Sequence, residues 1–214
     1  MKYTDVAWDF DGCLYDSYPH INADLQYVLE QYGVRATLEE INRYTRITQG
    51  DACRHFAPLC GCEVDELVRV FQTRKNSYVS DLCRPYPGIP ELLRDLTKAG
   101  IRNHICSNKK APDTLQYLDR DGLTQYFDVI SGVDRENGVL GKPKPDILNV
   151  VLRARGISPK AMIMVGDRPL DIEAAHNAGC DGCFFDLDHC NQAPADVEYE
   201  ALSVEALRSI LLGE

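Results

Sequence analysis

The sequence predicts an α/β protein built on a doubly wound, Rossmann-like parallel sheet, with an all-helical segment inserted after the first strand. Short, β-prone apolar runs alternate with helix-length amphipathic segments, which is the order expected of right-handed βαβ crossovers. Each apolar run ends at polar or acidic residues, and ligands of such sheets bind beyond the carboxyl ends of the strands. Residues 16–82 break the alternation, because they contain helical patterns but no clear strand.

The predicted strands are short enough, and apolar enough, to be buried on both faces of a parallel sheet. They cover residues 6–8, 101–106, 127–130, 161–165 and 183–185. Since the carboxyl ends of parallel strands meet at one edge, we expect the polar residues that follow them to converge there.

The predicted helices connect these strands and carry apolar residues at helical spacing, with proline near the start and glycine past the end. In the core they cover residues 90–99, 112–118, 145–155 and 170–178, and in the insertion 22–31, 38–44 and 63–78. Residues 48–50 are interpreted as a polar turn between helices. We therefore predict an α/β core from residues 1–15 and 83–214 and a helical cap from residues 16–82.

The acidic composition argues against nucleic acids and anionic membranes as binding partners. Acidic residues outnumber basic ones 33 to 23, which gives a formal net charge of −10. A uniformly acidic surface repels nucleic-acid backbones and anionic membranes, so we expect neither as a partner. The chain has no apolar run long enough for a membrane helix and no hydrophobic N-terminal stretch for a signal peptide. We expect a cytoplasmic protein, and the sequence leaves monomer and homodimer open.

The nine cysteines include a cluster near the C-terminus that admits two interpretations. Cys180, Cys183, His189 and Cys190 contain a Cys-x-x-Cys element, which can indicate zinc. The second half of the cluster lacks the usual paired spacing. We favour the alternative, in which Cys180 and Cys183 flank and enter a buried strand as small apolar residues.

The strongest local motif is a pair of acids, Asp9 and Asp11, directly after the first predicted strand. If the chain turns there, both carboxylates can face one ligand. Two such acids can divide the work of nucleophile and proton donor when their environments differ. A hard cation would then be needed to offset their charge beside an anionic substrate. An isolated Asp-x-Asp, however, is more often a loop acid and a helix cap.

Three further motifs follow later strands of the predicted sheet, and each also has a purely structural interpretation. Ser107 and Asn108 precede a helix whose N-terminal amides can bind an anion, although a simple N-cap is an alternative. Lys142 stands on a proline-stiffened loop and can place a point charge on a phosphoryl oxygen, or be a solvated surface lysine. Asp167 and Asp171 add two acids at the same edge, or cap a helix.

Together these motifs resemble the haloacid dehalogenase (HAD) superfamily, in particular its phosphoglycolate-phosphatase-like branch with a helical C1 cap. The four motifs that carry the resemblance appear in order. They are Asp9-x-Asp11-Gly12-x-Leu14, Ser107-Asn108-Lys109, Gly141-Lys142-Pro143-x-Pro145 and Gly166-Asp167-x-x-x-Asp171. The resemblance covers the core nearly end to end, but the cap only in position and helical character.

The resemblance implies a Mg²⁺-dependent phosphatase that hydrolyses a small phosphate monoester through an aspartyl-phosphate. Asp9 would be the nucleophile, and Asp11 would protonate the leaving oxygen and later activate water. The Asp9 carboxylate, the Asp11 backbone carbonyl and Asp167 would bind Mg²⁺. The remaining roles implied are phosphoryl binding by Ser107, Asn108 and Lys142, support of the metal shell or orientation of Lys142 by Asp171, and support by Gly12.

Two regions of the sequence do not match the specific residues of the family pattern. Cys13 stands where family members usually carry Thr or Val; because cysteine is close to both in size, we expect the turn and the mechanism to be kept and only the rate to be affected. The cap matches no specific motif, and Arg46, Thr48 and Gln49 are its candidate specificity residues. Alternatives to a phosphatase are a phosphosugar mutase of the β-phosphoglucomutase kind, a non-catalytic phosphoacceptor or interaction module, and a dehalogenase that needs no Mg²⁺.

Overall fold

A computed structural model of the protein describes residues 2–213, and its internal contacts divide the chain into two compact units. The first unit comprises Met1–Tyr15 and Pro85–Glu214, and the second comprises Asp16–Arg84. The sequence places the limits of the insertion at residues 16 and 82. No helix among residues 2–213 is both long and apolar enough to span a bilayer.

The first unit is built on a six-stranded sheet whose neighbouring strands all pair in parallel. Its strands are β1 (Asp5–Trp8), β4 (Arg102–Ser107), β5 (Phe127–Gly132), β6 (Met162–Gly166), β7 (Asp181–Phe184) and β8 (Tyr199–Glu200). The spatial order is β5-β4-β1-β6-β7-β8. The chain thus winds outward from β1 in one direction and then in the other, and the predicted α/β fold class is confirmed.

Helices connect these strands along the chain, and a last helix follows β8. They are α5 (Ile89–Lys98), α6 (Ala111–Arg120), α7 (Asp146–Arg155), α8 (Pro169–Ala178) and α9 (Val204–Leu212). Short 3₁₀ turns at Thr124–Tyr126 and Pro159–Ala161 lead into β5 and β6. Two-residue strands β2 (Tyr15–Asp16) and β3 (Arg84–Pro85) pair with each other where the chain passes from one unit to the other.

The register of the three central strands fixes the position of the polar residues that follow them. Trp8, the last residue of β1, lies opposite Ile105 of β4 and Val165 of β6. Asp9 therefore emerges between the ends of two neighbouring strands. This is the switch point at which open α/β sheets bind ligands.

A charged network lies around the first residue of β7. The carboxylate of Asp181 accepts hydrogen bonds from Lys2 Nζ at 2.8 Å, Tyr3 Oη at 2.6 Å and Lys160 Nζ at 2.7 Å. Burial alone would raise the pKa of Asp181, but these three donors outweigh burial and hold the pKa well below its ordinary value. The network ties the N-terminal segment to β7.

The second unit is helical, and its apolar residues form a core of their own. Its helices are α1 (Tyr18–Gln31), α2 (Leu38–Thr45), α3 (Gln49–Cys60) and α4 (Val64–Lys75). The interpretation of residues 48–50 as a polar turn is wrong for two of the three. Thr48 is the N-cap of α3, and its hydroxyl accepts a hydrogen bond from the Asp51 amide at 2.9 Å. Gln49 and Gly50 form the first turn of that helix.

Candidate active site

The loop after β1 turns back on itself and presents the two acids of the first motif. The Asp9 amide donates to the Val165 carbonyl at 2.9 Å, which extends the pairing of β1 with β6 by one residue. The Tyr15 amide then donates to the Phe10 carbonyl at 3.0 Å, and the Gly12 amide donates to the Tyr15 carbonyl at 2.8 Å. Gly12 adopts a φ of +85°, a left-handed conformation that glycine adopts without steric cost. The turn therefore depends on this glycine.

Three buried carboxylates meet at the edge of the sheet. Asp9, Asp167 and Asp171 each offer an oxygen, and the three oxygens lie within 4.8 Å of one another. All three residues are fully buried. Carboxylate oxygens are the ligands that Mg²⁺ prefers, so this acidic trio can hold a divalent cation. The Asp11 side chain is not a member of the trio, and the structure gives it a different neighbour.

Lys142 neutralises part of the acidic trio. Its Nζ lies 2.7 Å from Asp9 Oδ1 and 2.5 Å from Asp171 Oδ1. Burial alone would lower the pKa of Lys142, but the carboxylates of Asp171 and Asp9 outweigh it and raise the pKa above its ordinary value. The lysine is therefore an ammonium ion held between two carboxylates. Of the two roles suggested for Asp171, this contact supports the orientation of Lys142.

Asn108 fixes the loop that carries Lys142. Asn108 Oδ1 accepts a hydrogen bond from the Lys142 amide at 2.7 Å, and Asn108 Nδ2 donates to the Lys142 carbonyl at 3.3 Å. A Cβ added at Gly141 would lie only 2.9 Å from Asn108 Oδ1, so a larger residue there would displace the Asn108 amide. These contacts make Asn108 a positioning residue for Lys142. Its binding of a phosphoryl oxygen stays a prediction.

Ser107 and Lys109 stand next to Asp11. The Ser107 hydroxyl is buried at the end of β4 and accepts a hydrogen bond from the Lys109 amide at 3.2 Å. Lys109 Nζ lies 3.3 Å from Asp11 Oδ1 and 5.3 Å from the centres of the Phe10 and Tyr117 rings. Sequence reasoning gave Lys109 no role. Its position directly after Ser107-Asn108 was the available signal.

Arg168 is the second residue that sequence reasoning missed. One guanidinium nitrogen lies 3.2 Å from Asp9 Oδ2, and Nε lies 3.8 Å from Asp167 Oδ1. The Arg168 backbone is fixed as the N-cap of α8, since its amide donates to Asp171 Oδ2 at 3.0 Å. Its place directly after Asp167 was the only signal in the sequence.

Cys13 takes no part in this charged cluster. Its thiol is fully buried, and Sγ lies 3.5 Å from the Val165 carbonyl oxygen, to which it can donate. Burial, followed by the nearby carboxylates of Asp9 and Asp167, raises the pKa of the thiol well above its ordinary value. A neutral, buried thiol is a poor nucleophile, so Cys13 acts as a small packing residue in the turn.

The candidate specificity residues belong to the helical unit. The Arg46 guanidinium stacks on the Tyr18 ring at 3.6 Å from its centre. Gln49 Oε1 accepts hydrogen bonds from Lys75 Nζ at 3.0 Å and from Gln72 Nε2 at 2.9 Å. The Thr48 hydroxyl caps α3 as described above. Their contact with a substrate stays a prediction.

Cys180 and Cys183 take the structural positions favoured above, whereas Cys190 is exposed. Cys183 lies within β7, and Cys180 is buried one residue before that strand. Burial raises the pKa of each thiol to about 12. The residues that could hold a metal ion, within the part of the chain that the structure describes, are the acidic trio and not these cysteines.

The parallel sheet thus carries a buried cluster of carboxylates and cations at its switch point, where open α/β sheets bind ligands. Residues 6–185 match the family model described as "Haloacid dehalogenase-like hydrolase". The chain belongs to this family, as its motifs predicted, and it is a phosphatase.

Two known relatives and a solved structure match most of the length of the chain. It is 27% identical over 221 residues to a phosphoglycolate phosphatase of Mesorhizobium japonicum, with 96% of each chain covered. It is 30% identical to an N-acetylmuramic acid 6-phosphate phosphatase of Pseudomonas aeruginosa, over 84% of this chain and 80% of that one. A HAD family hydrolase of Deinococcus radiodurans, solved with bound phosphate and sodium, superposes with a TM-score of 0.78 at 25% identity, covering 99% of this chain and 96% of that one.

Proposed function

We propose that the protein is a Mg²⁺-dependent phosphatase that hydrolyses a small phosphate monoester through an aspartyl-phosphate on Asp9. The observation that carries this proposal is the setting of Asp9. Its carboxylate is fully buried, contacts Lys142 at 2.7 Å and shares a cluster of oxygens with Asp167 and Asp171. Such a carboxylate is held in place beside a cation and is able to act as a nucleophile.

The metal proposal depends on the chemistry of the acidic trio. Three buried carboxylates carry more negative charge than Lys142 alone can neutralise, and their oxygens suit a hard cation. Asp9 and Asp167, with the backbone carbonyl of Asp11, would hold Mg²⁺. When bound, Mg²⁺ would neutralise charge on the phosphoryl group that is being transferred.

In the first half of the reaction, a carboxylate oxygen of Asp9 attacks phosphorus, and the bond from phosphorus to the ester oxygen breaks. The electron pair of that bond goes to the ester oxygen, which takes a proton from the Asp11 carboxyl group. Asp11 is suited to this task because it lies two residues from Asp9 on a turn fixed by Gly12. The products are an alcohol and a phosphorylated Asp9.

In the second half, water attacks the phosphorus of the aspartyl-phosphate. The Asp11 carboxylate takes a proton from this water, and the bond from phosphorus to the Asp9 oxygen breaks. Asp9 and the protonated Asp11 are thereby restored. Lys109, at 3.3 Å from Asp11, helps to keep the Asp11 side chain in one place during both halves.

The phosphoryl oxygens need donors at the same edge of the sheet. Lys142 supplies a fixed positive charge, and the buried Ser107 hydroxyl ends the neighbouring strand. Asn108 holds the Lys142 backbone at both its amide and its carbonyl. Preorganised donors of this kind stabilise a transition state because they need no rearrangement during the reaction.

We propose a small phosphorylated metabolite as the substrate. The relatives named above are phosphatases of phosphoglycolate and of N-acetylmuramic acid 6-phosphate, and the net charge of −10 disfavours a nucleic-acid polymer. Arg46, Thr48 and Gln49 would contribute to the choice among such esters.

Phosphate release from p-nitrophenyl phosphate tests the nucleophile. Asp9→Asn should abolish release in the presence of Mg²⁺, whereas the control Asp65→Asn, on an exposed position of α4, should leave it unchanged. Turnover by Asp9→Asn equal to that of the unaltered protein would show that Asp9 is not the nucleophile.

A panel of phosphate esters then separates hydrolysis from the mutase alternative. A phosphatase releases one phosphate for each ester consumed. A phosphosugar mutase forms an isomeric sugar phosphate with little release, and this outcome would replace the proposed reaction. Loss of turnover with EDTA, and its return with added Mg²⁺, tests the cofactor.

A further inference from the structure

Arg168 occupies the side of the acidic trio that Lys142 leaves open. Lys142 contacts Asp9 Oδ1 and Asp171 Oδ1, whereas the Arg168 guanidinium faces Asp9 Oδ2 at 3.2 Å and Asp167 Oδ1 at 3.8 Å. The two cations thus divide the carboxylate oxygens between them. Arg168 bridges Asp9 and Asp167, which are the two side chains proposed above as ligands of the divalent cation.

The net charge of the cluster determines how strongly it attracts a divalent cation. Three carboxylates and two side-chain cations leave the cluster with about one negative charge when all five groups are ionised, and a guanidinium stays protonated at any physiological pH. A divalent cation entering beside Arg168 would therefore meet a positive charge a few ångströms away, and like charges at such range repel strongly where water is largely excluded. Only 11% of the Arg168 side chain is exposed.

The backbone of Arg168 cannot move away to relieve this repulsion. Its amide donates a hydrogen bond to Asp171 Oδ2 at 3.0 Å, and Arg168 is the N-cap of α8, two residues after the end of β6. Only the side chain can turn away from Asp9 and Asp167. Metal binding must then break the guanidinium contacts or tolerate them at close range.

We propose that Arg168 is an internal competitor of the divalent cation and sets the metal affinity of the site. The guanidinium holds Asp9 and Asp167 together while the metal is away, and it raises the metal concentration needed to fill the site. This inference rests on the proposed function, because it takes Asp9 and Asp167 as the metal ligands.

The test measures Mg²⁺ binding to the full-length protein by titration calorimetry, without substrate. Arg168→Met removes the charge and keeps an unbranched side chain, and it should lower the Kd for Mg²⁺ by about tenfold or more. Arg168→Lys keeps a charge that cannot bridge two carboxylates with a planar fork, and its Kd should fall between the other two. Arg153→Met, at an exposed position in the last turn of α7, is the matched control and should leave the Kd unchanged.

Thermal unfolding gives a second readout that does not depend on heat of binding. Without the guanidinium, Asp9 and Asp167 repel each other in EDTA, so Arg168→Met should have a lower Tm than the unaltered protein there. Saturating Mg²⁺ should raise the Tm of Arg168→Met by more than it raises that of the unaltered protein, because tighter binding stabilises the folded state further.

The possible results separate this inference from the proposed function. An unchanged Kd in Arg168→Met would overturn the competition, and a higher Kd would show that Arg168 supports the metal instead. If the unaltered protein hydrolyses phosphate esters with Mg²⁺ in either case, the proposed function stands and only the role of Arg168 falls. If the unaltered protein binds no Mg²⁺, both proposals fail.

Discussion

Lys142→Met tests whether one ammonium ion holds the candidate site together. Lys142 Nζ contacts two fully buried carboxylates, Asp9 at 2.7 Å and Asp171 at 2.5 Å. Methionine keeps most of the side-chain volume, so the substitution removes the charge with little change in packing. Lys144→Met makes the same change at an exposed position of the same loop and serves as the control.

The expected loss of unfolding free energy depends on the contacts that Asp9 and Asp171 keep when Lys142 is replaced. Removing one partner of a buried ion pair costs about 3–5 kcal/mol, because the other charge stays buried without compensation. Here Asp9 keeps its contact with Arg168 at 3.2 Å, and Asp171 keeps the amide of Arg168 at 3.0 Å. We therefore expect a loss in unfolding free energy near the lower end, about 3 kcal/mol. Catalysis also loses a fixed positive charge, and such a loss lowers kcat by about 100-fold or more.

Urea unfolding at pH 7 in EDTA measures the first quantity, and phosphate release with saturating Mg²⁺ measures the second. The reasoning is refuted if the unfolding free energies of Lys142→Met and Lys144→Met agree within about 1 kcal/mol, well below the cost expected for a broken buried pair. It is equally refuted if Lys142→Met keeps most of the kcat.

Three other substitutions test separate parts of the structure. Asp181→Asn should cost about 1–3 kcal/mol in urea unfolding at pH 7, as expected for hydrogen bonds to a charged group. Because the pKa of Asp181 is lowered in the folded state, its contribution to stability is present above about pH 4 and is lost as the pH falls further. Equal costs of Asp181→Asn at pH 7 and pH 3 would contradict this account. Gly166→Ala would place a Cβ inside contact distance of the Asp171 side chain. Since Asp171 is a partner of Lys142, its displacement should lower kcat by about tenfold or more, and an unchanged kcat would contradict this. Thr48→Ala should cost about 0.5–2 kcal/mol by removing the N-cap of α3, whereas Thr48→Ser should cost little, and equal costs would show that the cap is not the cause.

The strand ends could be predicted because their signal is local. Each apolar run and the polar residue that ends it are adjacent in the sequence, and parallel strands bring such ends to one edge. Asp9, Ser107 and Gly166 therefore come together in the structure as expected. The acidic trio joins two of the same motifs, and it could be anticipated without knowing any side-chain conformation.

The features that the sequence did not predict have weak local signals, or depend on residues far away in the chain. Helix α3 contains Gly50 in its first turn and Pro58 near its end, and both residues disfavour a helix interior. The structure shows instead that the capping hydroxyl of Thr48 and a left-handed Gly61 define its two ends. A helix over residues 49–60 is therefore missing from the predicted elements, although its two ends are well marked.

Arg168 could not be assigned from the sequence, because its principal partner is 159 residues away. Nothing in the residues next to Arg168 shows that its guanidinium reaches Asp9. Asn108 is a similar case, since its two hydrogen bonds go to the backbone of a loop 34 residues later. The motif residues could be listed from spacing, but the contacts between motifs required the fold.

The net charge of −10 describes the whole chain, whereas the binding of an anion depends on the local charge at the candidate site. Charges separated by more than about 8 Å are largely screened at physiological ionic strength, whereas buried pairs are not. At the end of the sheet, Lys142 and Arg168 lie within hydrogen-bonding reach of Asp9, and Lys109 lies near Asp11. The three carboxylates and two cations of the cluster leave about one negative charge, and a bound divalent cation would change this to about one positive charge. A phosphoryl group at Asp9 would then meet this local charge, while the exposed acids of the surface act on it only weakly. An acidic chain can accordingly bind a compact anion, provided that the anion is small enough to reach the buried cluster.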